Sequence, residues 1–331
     1  MMTPAASSEL ATIVMYHFVR PAGSAAFPRL PALDVAAFRE QLDYVCRYHS
    51  PVPLGDLADA AQGLTTLPKA PVAFTFDDGY IDHFRYVFPE LKRRRLPATF
   101  FPVRSALVGR IVLDVNKVQF VLASQAGLPA IVDEMEQAIR SCDDPSVESI
   151  AEYRAKWCVA SAFDIPEVVY VKRLLQHALP ASIRRPLLDG LFRRFVTADE
   201  ASFAADLYLS VDQAREMLAS GMVFGGHADR HIPLSTLSRG EQSAEIDGAL
   251  EALAAIGAPR DRFAYSYVKG EFTADSVDLL RSRGCGLAVT NKAGLARPTA
   301  ESLFVLPRLD TNHLPTDRNA PPNAWTTQAL A

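Results

Sequence analysis

The chain has 331 residues, 49% of them hydrophobic and 22% charged, with a formal net charge of −4. That is enough apolar material for one large α/β domain, or for a barrel carrying an insertion. The acidic balance excludes the electrostatic footprint of a nucleic-acid binder, and no stretch approaches the roughly 20 apolar residues of a membrane span.

The four cysteines, Cys46, Cys142, Cys158 and Cys285, form no CxxC pair, which argues against a thiolate zinc site and for a reducing compartment. Met1 to Leu10 lacks a basic n-region, so no signal peptide is expected and the cytoplasm is the default. Ala11 to His17 reads as a buried strand ending at a histidine. Asp34 is the expected N-cap of a helix with Phe38, Leu42, Val45 and Tyr48 on one face. A short strand over Ser50 to Leu54 and a short helix over Gly55 to Ala61 follow.

Val72-Ala-Phe-Thr-Phe-Asp-Asp-Gly-Tyr80 is the stretch around which the chain is organised. Its apolar, β-branched and aromatic start predicts a buried strand, and it ends in two adjacent carboxylates. Like charges at a strand tip repel; a metal on one of them relieves the repulsion and leaves the other free as a base. A solvated Asp-Asp-Gly turn is the structural alternative. Ile81 to Arg95 predicts a helix that Pro89 kinks or splits, with Lys92 to Arg95 as its solvated basic C-terminus. Ala98 to Val103 is the next strand.

From about 107 to 220 helical periodicity dominates, with helices expected at Ile131 to Ile139, Val147 to Ala162, Glu167 to Ala178, Ile183 to Phe195 and Ser210 to Ala219. This predicts an α-helical insertion in a single domain spanning 1–331. Its two candidate roles are to cover the site or to form a homodimer interface. His177 within it reads as a packing or surface residue.

The strand-and-loop rhythm then resumes. Gly221 to Gly225 leads into Gly226-His-Ala-Asp-Arg-His231. Ser238 to Ile256 is an amphipathic helix opened by a capping box from Ser238 to Glu241. Arg262 to Tyr267 is a strand, Asp275 to Arg283 a helix stopped by Gly284, Gly286 to Thr290 a strand, and Leu303 to Arg308 the last strand. Residues after Asn319 read as a loose tail.

Alternating strands and helices predict parallel β/α architecture. His17, Asp77, Asp78, His227, His231, Tyr267 and Arg308 all fall at or just beyond candidate strand ends, the face where β/α barrels carry their sites. His227 and His231, four apart, suit one metal, and two imidazoles with one carboxylate leave coordination positions open for water and substrate. Zinc is the first choice; iron, cobalt, nickel and manganese also accept these ligands.

Thr75-Phe-Asp-Asp-Gly79 with His227-x-x-x-His231 resembles the polysaccharide deacetylase family, the NodB-homology or carbohydrate esterase family 4 group. The resemblance extends to a branch associated with bacterial surface polysaccharides, through Met15 to His17, Phe76 to His83, Leu113 to Lys117 and Leu306 to Asn312. It implies a distorted (β/α)₇ barrel and metal-dependent removal of an N-acetyl or O-acetyl group from a sugar or glycan precursor. By the same resemblance Asp78, His227 and His231 hold one divalent metal and Asp77 is the general base. The Tyr267 backbone N–H joins the metal in holding the oxyanion.

Two histidines compete as general acid, His17 after the first strand and His313 after the last, with His17 favoured. Arg308 pairs with Asp77 and keeps it ionised, or is a plain structural salt bridge. His83 is either a support for the site or a surface residue. The third motif departs from the family pattern: Tyr265-Ser-Tyr-Val-Lys-Gly-Glu271 carries Ser266 where a proline is usual and lacks that motif's arginine. Two rival readings are a catalytically impaired carbohydrate-binding protein of the same fold, and an amidohydrolase for a formyl or cyclic imide group.

Overall fold

A computed structural model describes residues 10–22, 27–161 and 164–331. They divide into two compact units, one holding residues 10–22, 32–110 and 205–331, the other 27–31 and 111–204. The second is narrower than the 107–220 insertion expected.

The first unit opens with β1 (Thr12–Tyr16), β2 (Val19–Arg20) and β3 (Leu33–Asp34), then α1 (Val35–Tyr48), β4 (Ser50–Pro51), α2 (Gly55–Ala61) and β5 (Pro71–Asp78). Asp34 caps α1 as expected, its carboxylate accepting from Ala36 N at 2.8 Å. After β5 comes a π-helical turn, His83–Val87, then α3 (Phe88–Arg94), β6 (Ala98–Pro102) and α4 (Arg104–Leu107). The helix predicted over this stretch is interrupted, as expected, near Pro89. Pro89 lies in the first turn of α3 and has no N–H to donate, so the wider turn forms just ahead of it. The basic C-terminus of α3 is not simply solvated, because Arg94 pairs with Asp43 on α1.

The second unit is helical: α5 (Asp114–Ala123), α6 (Leu128–Arg140), α7 (Ile150–Trp157), α8 (Pro166–Arg173) continued by a π-helical turn (Leu174–Ala178), and α9 (Ala181–Phe195). The periodicity had not marked α5. The helix expected over Val147 to Ala162 is the shorter α7, and Ala162 lies outside the described residues. Phe27, Phe120, Phe192 and Phe203 pack edge-to-face at its centre. Lys117 is buried there and paired with Asp189 at 2.6 Å and Glu200 at 3.0 Å, a structural role for that motif.

Helix α10 (Glu200–Leu207) leads back to the first unit, which continues with α11 (Val211–Ala219), β7 (Val223–Phe224), α12 (Arg239–Ile256), β8 (Ala264–Ser266), α13 (Ala274–Ser282), β9 (Leu287–Val289), β10 (Leu309–Asp310) and α14 (Ala324–Leu330). Ser238 and Glu241 form the expected capping box of α12. The strand expected over Leu303 to Arg308 is displaced to β10. The expected loose tail is instead α14: Asn323 caps it, and Tyr44 of α1 bonds Thr326 within it at 2.9 Å. Among the described residues no helix is long and apolar enough to cross a membrane.

The ladders described in the first unit are parallel: one sheet in the order β10-β1-β5-β6-β7 with β4 beside the start of β5, and two separate pairs, β2-β3 and β8-β9. Single parallel bridges pair Gly226, just after β7, with Tyr265 of β8, and Val289 of β9 with Leu306, just before β10. Strands this short, joined in two places by lone bridges, make the sheet irregular.

Tyr16, Phe76, Phe100 and Phe224 are register partners across β1, β5, β6 and β7, with neighbouring ring centroids 4.9, 4.9 and 5.7 Å apart. Each such contact contributes about 0.5–1.5 kcal/mol beyond its buried area. Side chains alternate along a strand, so the next residues, Asp77 among them, face the other way. Gly225 is where β6, β7 and β8 crowd: a Cβ there would meet the Phe101 ring at 2.4 Å and Ala264 O at 2.5 Å.

Candidate functional site

The two carboxylates are the last residues of β5, whose eight positions are all buried. Adjacent strand residues normally point to opposite faces. Asp78, however, has φ +69°, in the left-handed region. This ends the extended run and brings both carboxylates within electrostatic reach of His227. Gly79 continues the turn at φ +71°, where a Cβ would lie 2.8 Å from Pro102 Cβ. Strained backbone of this kind clusters at functional sites.

Asp78, His227 and His231 converge. Both imidazole Nε2 atoms lie 3.2 Å from Asp78 Oδ1, and one ligand atom from each residue lies within 4.8 Å of the others. Yet Asp78 Oδ1 is buried with no aligned hydrogen-bond donor. Its partner oxygen, Oδ2, accepts from Tyr80 Oη at 2.6 Å. His227 Nδ1 must carry a proton, because it donates to the Ser266 carbonyl at 2.7 Å and a carbonyl can only accept. In the neutral ring the Nε2 lone pair then faces Asp78 Oδ1. An orphaned carboxylate oxygen between two imidazole nitrogens fits a divalent transition ion. Burial would raise the Asp78 carboxyl; in their protonated forms the same rings, His231 first, would hold it well below the usual range.

Asp77 faces a different partner. Arg308 grips it with two bonds, Nη1 to Oδ1 at 2.9 Å and Nη2 to Oδ2 at 2.7 Å. The guanidinium also donates to Thr290 O, Thr75 Oγ1, Ser266 Oγ and Asn291 Oδ1. Burial alone would push the Asp77 carboxyl up; Arg308 outweighs it, with His227 assisting, and brings it to about 2.

Ser266, the departure from the usual third motif, belongs to this network. Its hydroxyl donates to Asp77 Oδ2 at 3.2 Å while accepting from Arg308, and its carbonyl orients His227. One residue thus touches both halves of the site. The sequence marked it only as an anomaly.

The expected role of Tyr267 is corrected. Its backbone N–H donates to Val289 O at 3.0 Å in the β8-β9 ladder, so it is not free to hold an oxyanion. Its side chain, two residues from Tyr265, lies on the face opposite Ser266 and packs on Tyr265 and Phe272.

His17 and His313 are also placed differently. His17, just past β1, is close enough for its charge to act on both Asp77 and Asp78. His313 Nδ1 accepts from Asp310 N at 3.0 Å and its ring packs on Trp325. His83 is fully buried, not a surface residue: its Nε2 donates to His17 O at 2.9 Å, and its ring packs among Phe76, Tyr80 and Phe100.

Sequence reasoning assigned no role to Tyr80. The signal was its place two residues beyond Asp78, but its function depends on a stack of rings. Phe18 lies on one side, with centroids 3.8 Å apart, and Tyr208 on the other at 5.9 Å.

Comparison with known proteins agrees with this geometry. The family model described as Polysaccharide deacetylase matches residues 65–138 and 194–288, about half the chain. Among curated proteins, the poly-beta-1,6-N-acetyl-D-glucosamine N-deacetylase of Escherichia coli K12 is 35% identical over 82 residues, which is 24% of this chain and 12% of that protein. The chain therefore matches only a small part of that relative's length. Among solved structures, IcaB from Ammonifex degensii superposes with a TM-score of 0.56 at 19% identity, covering 98% of this chain and 99% of that one. The Streptococcus pyogenes deacetylase PplD, in complex with acetate, gives 0.56 at 16% identity over 92% and 93%. At such identities these two structures speak for the fold.

Proposed function

Since the chain belongs to the polysaccharide deacetylase family, we propose that it is a metal-dependent hydrolase that removes an N-acetyl group from a sugar or sugar precursor of a bacterial surface polysaccharide. The observation that carries this reading is Asp78 Oδ1, buried without a donor and faced by His227 and His231 Nε2 at 3.2 Å. The name of the Escherichia coli relative, an N-deacetylase of poly-N-acetylglucosamine, supports an amide-linked acetyl group. On the cysteine pattern, we place the reaction in the cytoplasm.

A divalent ion held by Asp78, His227 and His231, with zinc the first choice, supplies Lewis acidity toward water and the acyl oxygen. Asp77, kept ionised by Arg308, takes a proton from the attacking water. The water oxygen bonds to the acyl carbon first, and the C–N bond then breaks. His17, just past the end of β1, gives a proton to the departing amine. The products are acetate and an amino sugar.

The test is metal content of the purified protein by elemental mass spectrometry, together with acetate release from N-acetylglucosamine oligomers. About one transition ion per chain with acetate release is expected. A chain that takes up no zinc, cobalt or iron would return the protein to the carbohydrate-binding reading. Formate release, or turnover of cyclic imides alone, would make it an amidohydrolase of another class.

A further inference from the structure

The loop joining the two histidines is not a helical turn, although a four-residue spacing suits one. Ala228 and His231 both have positive φ, +63° and +61°. Two non-glycine residues held this way cost free energy that the surroundings must offset. The loop is gripped from two sides. On one, the backbone N–H groups of Arg104 and Ser105 in α4 donate to Ala228 O and Asp229 O. On the other stands Glu245 of α12.

The Glu245 side chain has no exposure. Its Oε2 accepts from two successive backbone amides, Asp229 N at 3.0 Å and Arg230 N at 2.8 Å, while Oε1 accepts from Arg230 Nε at 2.7 Å. A buried carboxylate on consecutive amides stabilises a loop as a bound anion would. These amides lie midway between His227 and His231. One helical turn further along α12, Gly248 allows the helix to approach: a Cβ there would lie 2.5 Å from Asp229 Cβ.

We propose that Glu245 is a positioning residue: by fixing Asp229 and Arg230 it sets the separation and aim of His227 and His231 for a divalent cation. The proposal rests on the metal-site reading above.

It is tested by stripping wild type, Glu245→Gln and Gly248→Ala of metal and measuring zinc affinity by chelator competition. The cobalt-loaded absorption spectrum and the metal-free urea midpoint are recorded beside it. Glutamine keeps one acceptor oxygen, and alanine favours the helix while pushing the loop away. Both variants should bind zinc about 10- to 100-fold more weakly, a loss larger than any fall in the metal-free midpoint accounts for, with an altered cobalt spectrum. Unchanged affinity and spectrum in both would overturn the proposal. So would affinity loss that only parallels loss of folded metal-free protein, which would assign Glu245 to the fold. A wild type that binds no metal would instead refute the metal site itself.

Discussion

Arg308 and Asp77, 231 positions apart in the chain, form a two-bond ion pair whose side chains are 0% and 1% exposed. A buried pair is strongly coupled: removing one partner strands the other, typically costing about 3–5 kcal/mol. Arg308→Leu should therefore cost about that much in urea denaturation. Adding Asp77→Leu should return part of it, the double variant being more stable than the sum of the two single losses by about 0.5–3 kcal/mol. Strict additivity would mean that the pair carries no coupling.

Metal retention and turnover should separate. His227→Ala removes a nitrogen facing Asp78 Oδ1 and should abolish metal retention. Asp77→Asn leaves the three ligands in place, so metal content should stay near wild type while acetate release falls by about 10²- to 10⁴-fold. Full metal loading of His227→Ala, measured by elemental mass spectrometry, would remove that residue from the ligand set.

The general acid can be assigned by rate. His17 acts electrostatically on both carboxylates, whereas His313 is committed to Asp310 N and Trp325. His17→Ala should slow acetate release by about 10²-fold or more, and His313→Ala much less. The reverse order would transfer the role to His313.

Ser266→Ala deletes a hydroxyl that touches Asp77 and Arg308 but leaves the carbonyl that orients His227. Stability should fall by about 1–3 kcal/mol and kcat should fall, with zinc affinity unchanged. A large loss of zinc would show that the hydroxyl, too, supports the metal ligands.

Burial pushes the His83 imidazole down to about 4 from its ordinary value of 6.5, against its bond to His17 O, which favours the charged form. The unfolded chain therefore takes up a proton at higher pH than the folded one. The resulting stability is complete above about 6.5 and is lost as pH falls toward 4. Comparing urea midpoints at about pH 7 and about pH 4.5, wild type should lose on the order of 2–3 kcal/mol more than His83→Gln. Equal losses would mean that His83 is protonated in the fold.

Local chemistry carries much of this protein on its own. The Asp34 cap, the Ser238–Glu241 box, the apolar run into Asp77 and Asp78, and the His227–His231 spacing are all short-range features. A reader of the sequence finds the elements and the residues of the candidate site from them, since caps, periodicity and strand tips depend on residues a few positions apart.

The tertiary structure decided what such patterns do not encode. Pairing β8 with β9 committed the Tyr267 N–H to Val289. Docking against α1 turned the expected tail into α14. The left-handed turn at Asp78 let neighbouring carboxylates take different partners, and packing around Ser266 joined the ion pair to His227. In each case a residue's role depends on which distant donor, acceptor or ring the folded chain sets beside it, and sequence spacing does not record that.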